Sequence, residues 1–242
     1  MQDKLYGWRA KIGLIYPASG WVMEPEFYAM APEGVSIHTT RVELKTVDVK
    51  GVTEIAAASI EAARLLATAP LNVIVLGCTS GSFINGSEYD KNLIRSMEEV
   101  TNGIPCTTTA SAVSKALDKL KVNKLAVVTP YVEEINLRAI KYLQEKGFKV
   151  LNLAGLGLIE DYDINRQDLE TVYNLAKSTD VENADGIFIA CTGIRSIPII
   201  KTLEKDLNKP VISAIQATFW DCLRLSGVHE KISGYGCLLE NF

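Results

Sequence analysis

One short pattern occurs twice in this chain and restricts what it can fold into. Val73–Gly77, a β-branched apolar run, stops at Cys78-Thr79-Ser80-Gly81, and Gly186–Ala190, a run of the same kind, stops at Cys191-Thr192-Gly193. Each reads as a buried strand ended by a cysteine turn. The two cysteines stand 191 − 78 = 113 positions apart, and the same offset relates Ile12–Pro17 to Leu125–Pro130. A third pair, Ile104–Ala112 and Lys209–Ala217, repeats at 210 − 105 = 105 positions. Three matched strand ends in one order predict an internally duplicated chain. Its N-terminal half, 1–120, carries Cys78; its C-terminal half, 121–242, carries Cys191, with the C-terminal segment crossing back to the first half. Under two-fold symmetry the thiols face each other across the cleft between the halves.

The hydrophobic period alternates along both halves. Strands are predicted at Lys11–Tyr16, Gly34–Leu44, Asn72–Gly77 and Pro105–Thr108, then at Lys124–Thr129, Phe148–Leu153, Gly186–Ala190 and Val211–Ser213. Between them Val52, Ile55, Ala56, Ser59, Ala63 and Leu66 share one face of an alanine-rich helix. Further helices are predicted at Lys91–Val100, Ala110–Leu120, Val132–Gln144, Asp168–Ser178, Ile197–Leu207 and Ala217–Leu225, while Ser80–Asp90 and Gly155–Gln167 read as loops. This alternation predicts an α/β fold of two pseudo-symmetric parallel-sheet halves with the active site in the cleft between them. Ligands of such sheets bind beyond the carboxyl ends of the strands, where Cys78 and Cys191 stand.

Composition narrows the function classes. With 48% apolar and 22% charged residues the 242-residue chain is globular. A net charge of −4 argues against a nucleic-acid surface. No apolar run approaches the ~18 residues that span a bilayer. Met1–Arg9 has no apolar signal core, so secretion is not expected. Five cysteines, without a Cys-x-x-Cys, fit free thiols in a reducing cytoplasm. His38 and His229 lack metal-ligand spacing, so no metal is expected. Gly155-Leu-Gly157 is only a fragment of a dinucleotide fingerprint, and reads as loop.

Two thiols on opposite sides of a carbon suit proton abstraction on one face and delivery on the other. A cysteine at a strand end near a helix N-terminus is expected to have its pKa lowered from ~8.5. Thr79, Ser80 and Thr192 offer hydroxyls, and Gly193 a close backbone N–H, for a carboxylate or enolate oxygen. Tyr131, directly after Pro130 at a strand end, is a candidate donor to a developing oxyanion. Cys106, Cys222 and Cys237 lack the Cys-Thr context and read as structural; Tyr16, Trp21, Phe219 and Trp220 read as core.

Gly77–Phe83, Thr129-Pro130-Tyr131, Ala190–Gly193, Ala217–Asp221 and Gly234-Tyr235-Gly236 together resemble the aspartate/glutamate racemase superfamily, in its branch of maleate cis–trans isomerase and arylmalonate decarboxylase. The resemblance covers nearly the whole chain. It implies a cofactor-free enzyme acting on a small carboxylate or dicarboxylate, and leaves homo-oligomerisation open. Arylmalonate decarboxylases typically have glycine where Cys78 stands, so keeping both thiols implies an isomerase or racemase. By similarity to maleate isomerase, Cys78 would attack the double bond and Cys191 would supply a proton. Rotation and elimination would then give fumarate. Thr79, Ser80, Tyr131, Thr192 and Ser19 would hold carboxylates or the enolate. The alternatives are decarboxylation of a substituted malonate with Cys191 alone donating the proton, an amino-acid or hydantoin-type racemase, and non-catalytic carboxylate binding. Two departures bear on the substrate. Maleate isomerases usually carry Ser-Asn-Thr where this chain has Ala18–Trp21, and a second asparagine where Tyr162 is expected to stand. Both point to a bulkier, less symmetric acid than maleate.

Overall fold

Parallel pairing gathers the strands into two sheets of the same design. The computed structural model describes residues 6–242, so the reading of Met1–Arg9 falls partly, over residues 1–5, outside the described residues. In the first sheet β1 (Ala10–Pro17) lies between β2 (Val35–Val42) and β3 (Val73–Leu76), and β4 (Cys106–Thr108) extends it, giving the order β2-β1-β3-β4. In the second, β5 (Lys124–Tyr131), β6 (Lys149–Leu158), β7 (Gly186–Ile189) and β8 (Val211–Ser213) repeat it as β6-β5-β7-β8. The 113-residue offset read from 191 − 78 thus matches β1 to β5 and β3 to β7. β3 and β7 are buried along their whole length, as continuous apolar runs require when helices cover both faces.

The first sheet is wrapped by α1 (Met23–Met30), α2 (Val49–Leu66), α3 (Thr79–Phe83), α4 (Ser87–Val100) and α5 (Thr109–Leu120). The second carries α6 (Glu133–Glu145), α7 (Asp161–Asn165), α8 (Leu169–Thr179), α9 (Ile197–Leu207), α10 (Ala214–Leu225) and α11 (Cys237–Asn241). Side-chain caps start several of them. Asp48, Thr108, Asp168 and Ser213 accept from the N–H groups of Gly51, Ser111, Thr171 and Gln216. The Ser213 cap starts α10 at Ala214, earlier than the Ala217 expected from hydrophobic period alone.

Two further expectations are corrected, and two helices lie where none was expected. Ser80–Asp90 is not a loop: its first residues belong to α3 and its last to α4. The Thr-Ser-Gly-Ser composition is poor for a helix. Burial holds α3, and the Ser82 hydroxyl bonds back to the Cys78 and Thr79 carbonyls at 2.8 and 2.9 Å. Gly155–Gln167 is not a loop either. β6 continues to Leu158, paired with Tyr131, and α7 follows. Gly155 permits this, since a Cβ there would stand 2.6 Å from Asn136 Nδ2. α1 escaped the sequence reading although Met23, Phe27 and Met30 are its buried stripe. The short α11 escaped it as well.

The two halves share one hydrophobic core. α5 packs on α10 where their Thr109 and Thr218 hydroxyls meet at 3.2 Å. Beside them Thr107 donates to Asp221 at 2.7 Å, and Lys115 pairs with the same carboxylate at 2.8 Å. No helix among the described residues is long and apolar enough to cross a membrane.

Candidate active site

Cys78 and Cys191 end β3 and β7 and lie 3% and 7% exposed, sealed from solvent. Their backbones differ. Cys78 is extended at φ −143° and leads straight into α3. Cys191 has φ +92°, a left-handed conformation rarely adopted by a residue with a Cβ, and no helix begins until Ile197. Three bonds hold that turn. The Thr192 hydroxyl donates to Gly77 O at 3.0 Å, tying the second cysteine turn to the first. The Tyr16 hydroxyl donates to Thr192 O at 3.1 Å, and Gly193 N–H points at Cys191 Sγ at 3.3 Å. Thr192, expected to hold substrate, has its hydroxyl committed to this brace.

The expected lowering of the thiol pKa is reversed. Burial pushes Cys78 up to about 11 and Cys191 up to about 12. The Gly81 N–H and the Ser80 hydroxyl, 3.9 Å from Cys78 Sγ, offset part of the rise at Cys78. At Cys191 the largest influence after burial is the negative charge of Asp161, which also acts on Cys78. Donors to sulfur thus act on both thiols: Gly81 N–H and Ser80 at Cys78, Gly193 N–H at Cys191. Cys222 and Cys106 are also buried and pushed up by burial, outside this cluster.

Tyr131, at the end of β5, has a buried hydroxyl without a hydrogen-bond partner, as does Thr79 Oγ1. The Tyr131 pKa is pushed up by burial and by Cys191 and Cys78, while Thr79 draws it down, so its hydroxyl stands among the two thiols and Thr79. The Tyr131 hydroxyl thus faces Cys191 and Thr79, and neither hydroxyl is saturated by a close hydrogen bond. The structure thus brings Cys78, Cys191, Thr79, Ser80 and Tyr131 together, with Thr192 behind them.

Ser19 hydrogen-bonds to neither thiol and leads to a group the sequence reading missed. Its hydroxyl is 2.6 Å from Asp161 Oδ2 and 2.7 Å from Leu44 O. Asp161 is buried, and burial raises its pKa, countered by Ser19 and by Asn165, whose amide reaches Oδ2 at 3.2 Å. Asn165 also accepts from Trp21 N–H at 3.1 Å. The signal was the buried side of a helix only five residues long, Asp161, Ile164 and Asn165. Tyr162, singled out instead, is exposed and stacks edge-on with Trp21 at 5.2 Å. A strap covers this end: Val47 N–H bonds Ile159 O at 2.7 Å and Asp161 N–H bonds Lys45 O at 3.0 Å.

The family model of arylmalonate decarboxylase matches residues 12–239. The chain is 29% identical over 232 residues to arylmalonate decarboxylase of Bordetella bronchiseptica, covering 95% of this chain and 96% of that one. It is 27% identical over 242 residues to maleate isomerase of Pseudomonas putida, covering 95% and 97%. Among solved structures, a cysteine-to-serine mutant of Nocardia farcinica maleate cis-trans isomerase with a covalently bound succinylcysteine intermediate is 25% identical, with a TM-score of 0.91 and coverage of 96% and 99%. A double mutant of arylmalonate decarboxylase in its liganded form is 30% identical, with a TM-score of 0.89 and coverage of 96% and 100%. The unliganded decarboxylase gives 0.81 at 29% identity, with coverage of 96% and 100%.

Proposed function

The chain belongs to the arylmalonate decarboxylase family, and from that membership we propose that it is a cofactor-independent isomerase or racemase of a small carboxylic acid, working with Cys78 and Cys191. The observation that carries this reading is the buried pair of thiols beside the buried hydroxyls of Tyr131 and Thr79. Cys78, directly before α3 with the Ser80 hydroxyl 3.9 Å from its sulfur, takes the part of nucleophile or base; Cys191, with no helix after it until Ile197, takes that of acid.

On a cis-enedioate such as maleate, the Cys78 thiolate forms an S–C bond to one alkene carbon. The π pair moves onto the neighbouring carbon and its carboxylate as an enolate. Tyr131 and Thr79 supply hydrogen bonds to that oxygen, which strengthen as charge develops. Cys191 delivers its proton to the carbon, leaving a single bond free to rotate. Return of a proton to Cys191 and expulsion of Cys78 restore the double bond in the trans form. On a chiral α-substituted acid the same two groups remove and replace the α-proton on opposite faces. The similarity to a succinylcysteine-bearing isomerase supports the adduct route. The similarity to a decarboxylase supports a second reading, carbon dioxide loss from a substituted malonate with Cys191 as proton donor.

NMR with maleate, phenylmalonate and chiral α-substituted acids in D₂O tests the assignment through fumarate formation, carbon dioxide loss or α-deuteration. Cys78→Ser and Cys191→Ser are each expected to lower turnover by about 10³-fold with an unchanged circular dichroism spectrum. Full activity in either serine variant rejects the two-thiol mechanism. Decarboxylation that survives Cys78→Gly favours the second reading.

A further inference from the structure

Two groups of opposite hydrogen-bonding character neighbour the thiols. One is the Tyr131 hydroxyl with Thr79 Oγ1, both buried donors. The other is Asp161, bonded to Asn165, whose amide nitrogen would stand 2.9 Å from a Cβ at Gly193 in the second cysteine turn; the Asp161 charge is felt by Cys78 and Cys191. Among the described residues the buried charged side chains are Asp90, Asp161 and Asp221, so no buried Lys or Arg offsets the Asp161 carboxyl. Asp90 and Asp221 are elsewhere engaged, with Thr108, Ser111 and Tyr142 and with Thr107 and Lys115.

The side-chain bonds to Asp161 all fall on Oδ2, from Ser19 and Asn165. Among the described residues no hydrogen bond reaches Oδ1. Ser19 has one hydroxyl proton and two acceptors in reach, Leu44 O and Asp161 Oδ2. When Asp161 is ionised, both its oxygens accept. Protonated, with Oδ2 already accepting from Ser19 and Asn165, it carries the proton on Oδ1, which then donates. In its ionised state this side of the cleft therefore has a free acceptor oxygen, Oδ1. Against ionised Asp161 a second substrate carboxylate would set acceptor against acceptor and anion against anion, with no buried Lys or Arg among the described residues to offset them.

We propose that Asp161 makes the Ser19 side of the cleft a subsite for a hydrogen-bond-donating group, so that the substrate is a monocarboxylate carrying an amide or ammonium rather than a dicarboxylate. The carboxylate takes the donor side, at Tyr131 and Thr79. The reacting carbons lie between the thiols, and the N–H group meets Asp161. This rests on the reading of the thiol cleft as the reaction site, and narrows its substrate class.

The half-amides succinamate and maleamate, compared with succinate and maleate, provide the probes. Isothermal titration of the unmodified protein is expected to show succinamate binding on the order of 10²-fold more tightly than succinate, as one unpaired or like-charged contact in a dry site dictates. In Asp161→Asn, whose amide can also donate, that ratio should fall at least about ten-fold, and turnover of maleate should gain on maleamate by a similar factor. A merely structural role for Asp161 would weaken both ligands together and leave the ratio unchanged, which would overturn the proposal. So would unmodified protein binding succinate as tightly as succinamate, a measurement that requires no variant to fold. Retained binding preference with no isomerisation of either cis acid would reject the cis–trans reaction and leave the subsite standing.

Discussion

Cys191 combines an unfavourable backbone with a buried thiol, while Cys78, its counterpart in the duplication, has an ordinary extended backbone. A non-glycine residue in the left-handed region costs ~1 kcal/mol or more, maintained only where surroundings over-determine it. Here the surroundings are the Thr192–Gly77 and Tyr16–Thr192 bonds. The strain is local to the turn, so its removal should raise stability independently of any effect on turnover. Cys191→Gly is expected to melt at or above the temperature of Cys191→Ala, a difference of ~1 kcal/mol in favour of glycine. At Cys78 the order should reverse, with Cys78→Ala more stable than Cys78→Gly. Thermal unfolding of the four variants checks both signs, and all four should lack two-thiol turnover. Sequence pattern identified both cysteines, because a strand-end Cys-Thr is a local signal. It could not show the left-handed backbone of Cys191, nor that burial raises both thiols, because these follow from what packs around each turn. The buried Asp161–Asn165 pair was hidden for the same reason: a five-residue helix is too short to display a period.

At the scale of elements, one helix of the first half caps a helix of the second. Glu26 on α1 accepts from Ser196 N–H at 2.8 Å and Ile197 N–H at 3.2 Å, at the start of α9, and its second oxygen meets the Ser196 hydroxyl at 3.2 Å. Burial lifts its pKa from 4.5 to about 7, outweighing the stabilising N–H groups. A carboxyl whose folded pKa lies above its unfolded value binds more protons folded than unfolded between the two. Its linkage therefore favours folding most below about 4.5, and that contribution is lost as pH rises through about 7. The effect is at most roughly 3 kcal/mol, less what solvent screens. Glu26→Gln keeps an acceptor for both N–H groups without the charge. Between pH 5 and pH 8 the parent's melting temperature should fall relative to that of Glu26→Gln; parallel curves would reject the linkage. The α9 boundaries were legible from sequence, since Ile197, Ile200 and Leu203 form a buried stripe. The cap was not, because its carboxylate comes from a helix 170 residues away. α1, which supplies it, was missed altogether.

The whole molecule repeats one design twice, yet the bonds that join the copies are unlike. Matched strand order was foreseeable from the 113-residue offset, because a duplicated sequence keeps its hydrophobic pattern. How the copies lock was not, since each lock is a side chain of one half meeting an unrelated residue of the other. Asp221 on α10 shows this, engaging Thr107 of β4 and Lys115 of α5, while the core runs through both halves without a break. With core and polar contacts crossing the junction, neither half should retain its structure once the other unfolds. A single denaturant transition is therefore expected, with coincident fluorescence and circular dichroism midpoints. Asp221→Ala removes a buried acceptor from Thr107 but frees a half-exposed Lys115 to solvent, so its cost should be ~1–3 kcal/mol rather than that of a fully buried pair. In a chain of this size that lowers the melting temperature by several degrees. The cooperative reading requires the variant's transition to move as a whole. Independent halves would instead give two transitions, or one whose denaturant slope falls in Asp221→Ala as one sheet outlasts the other.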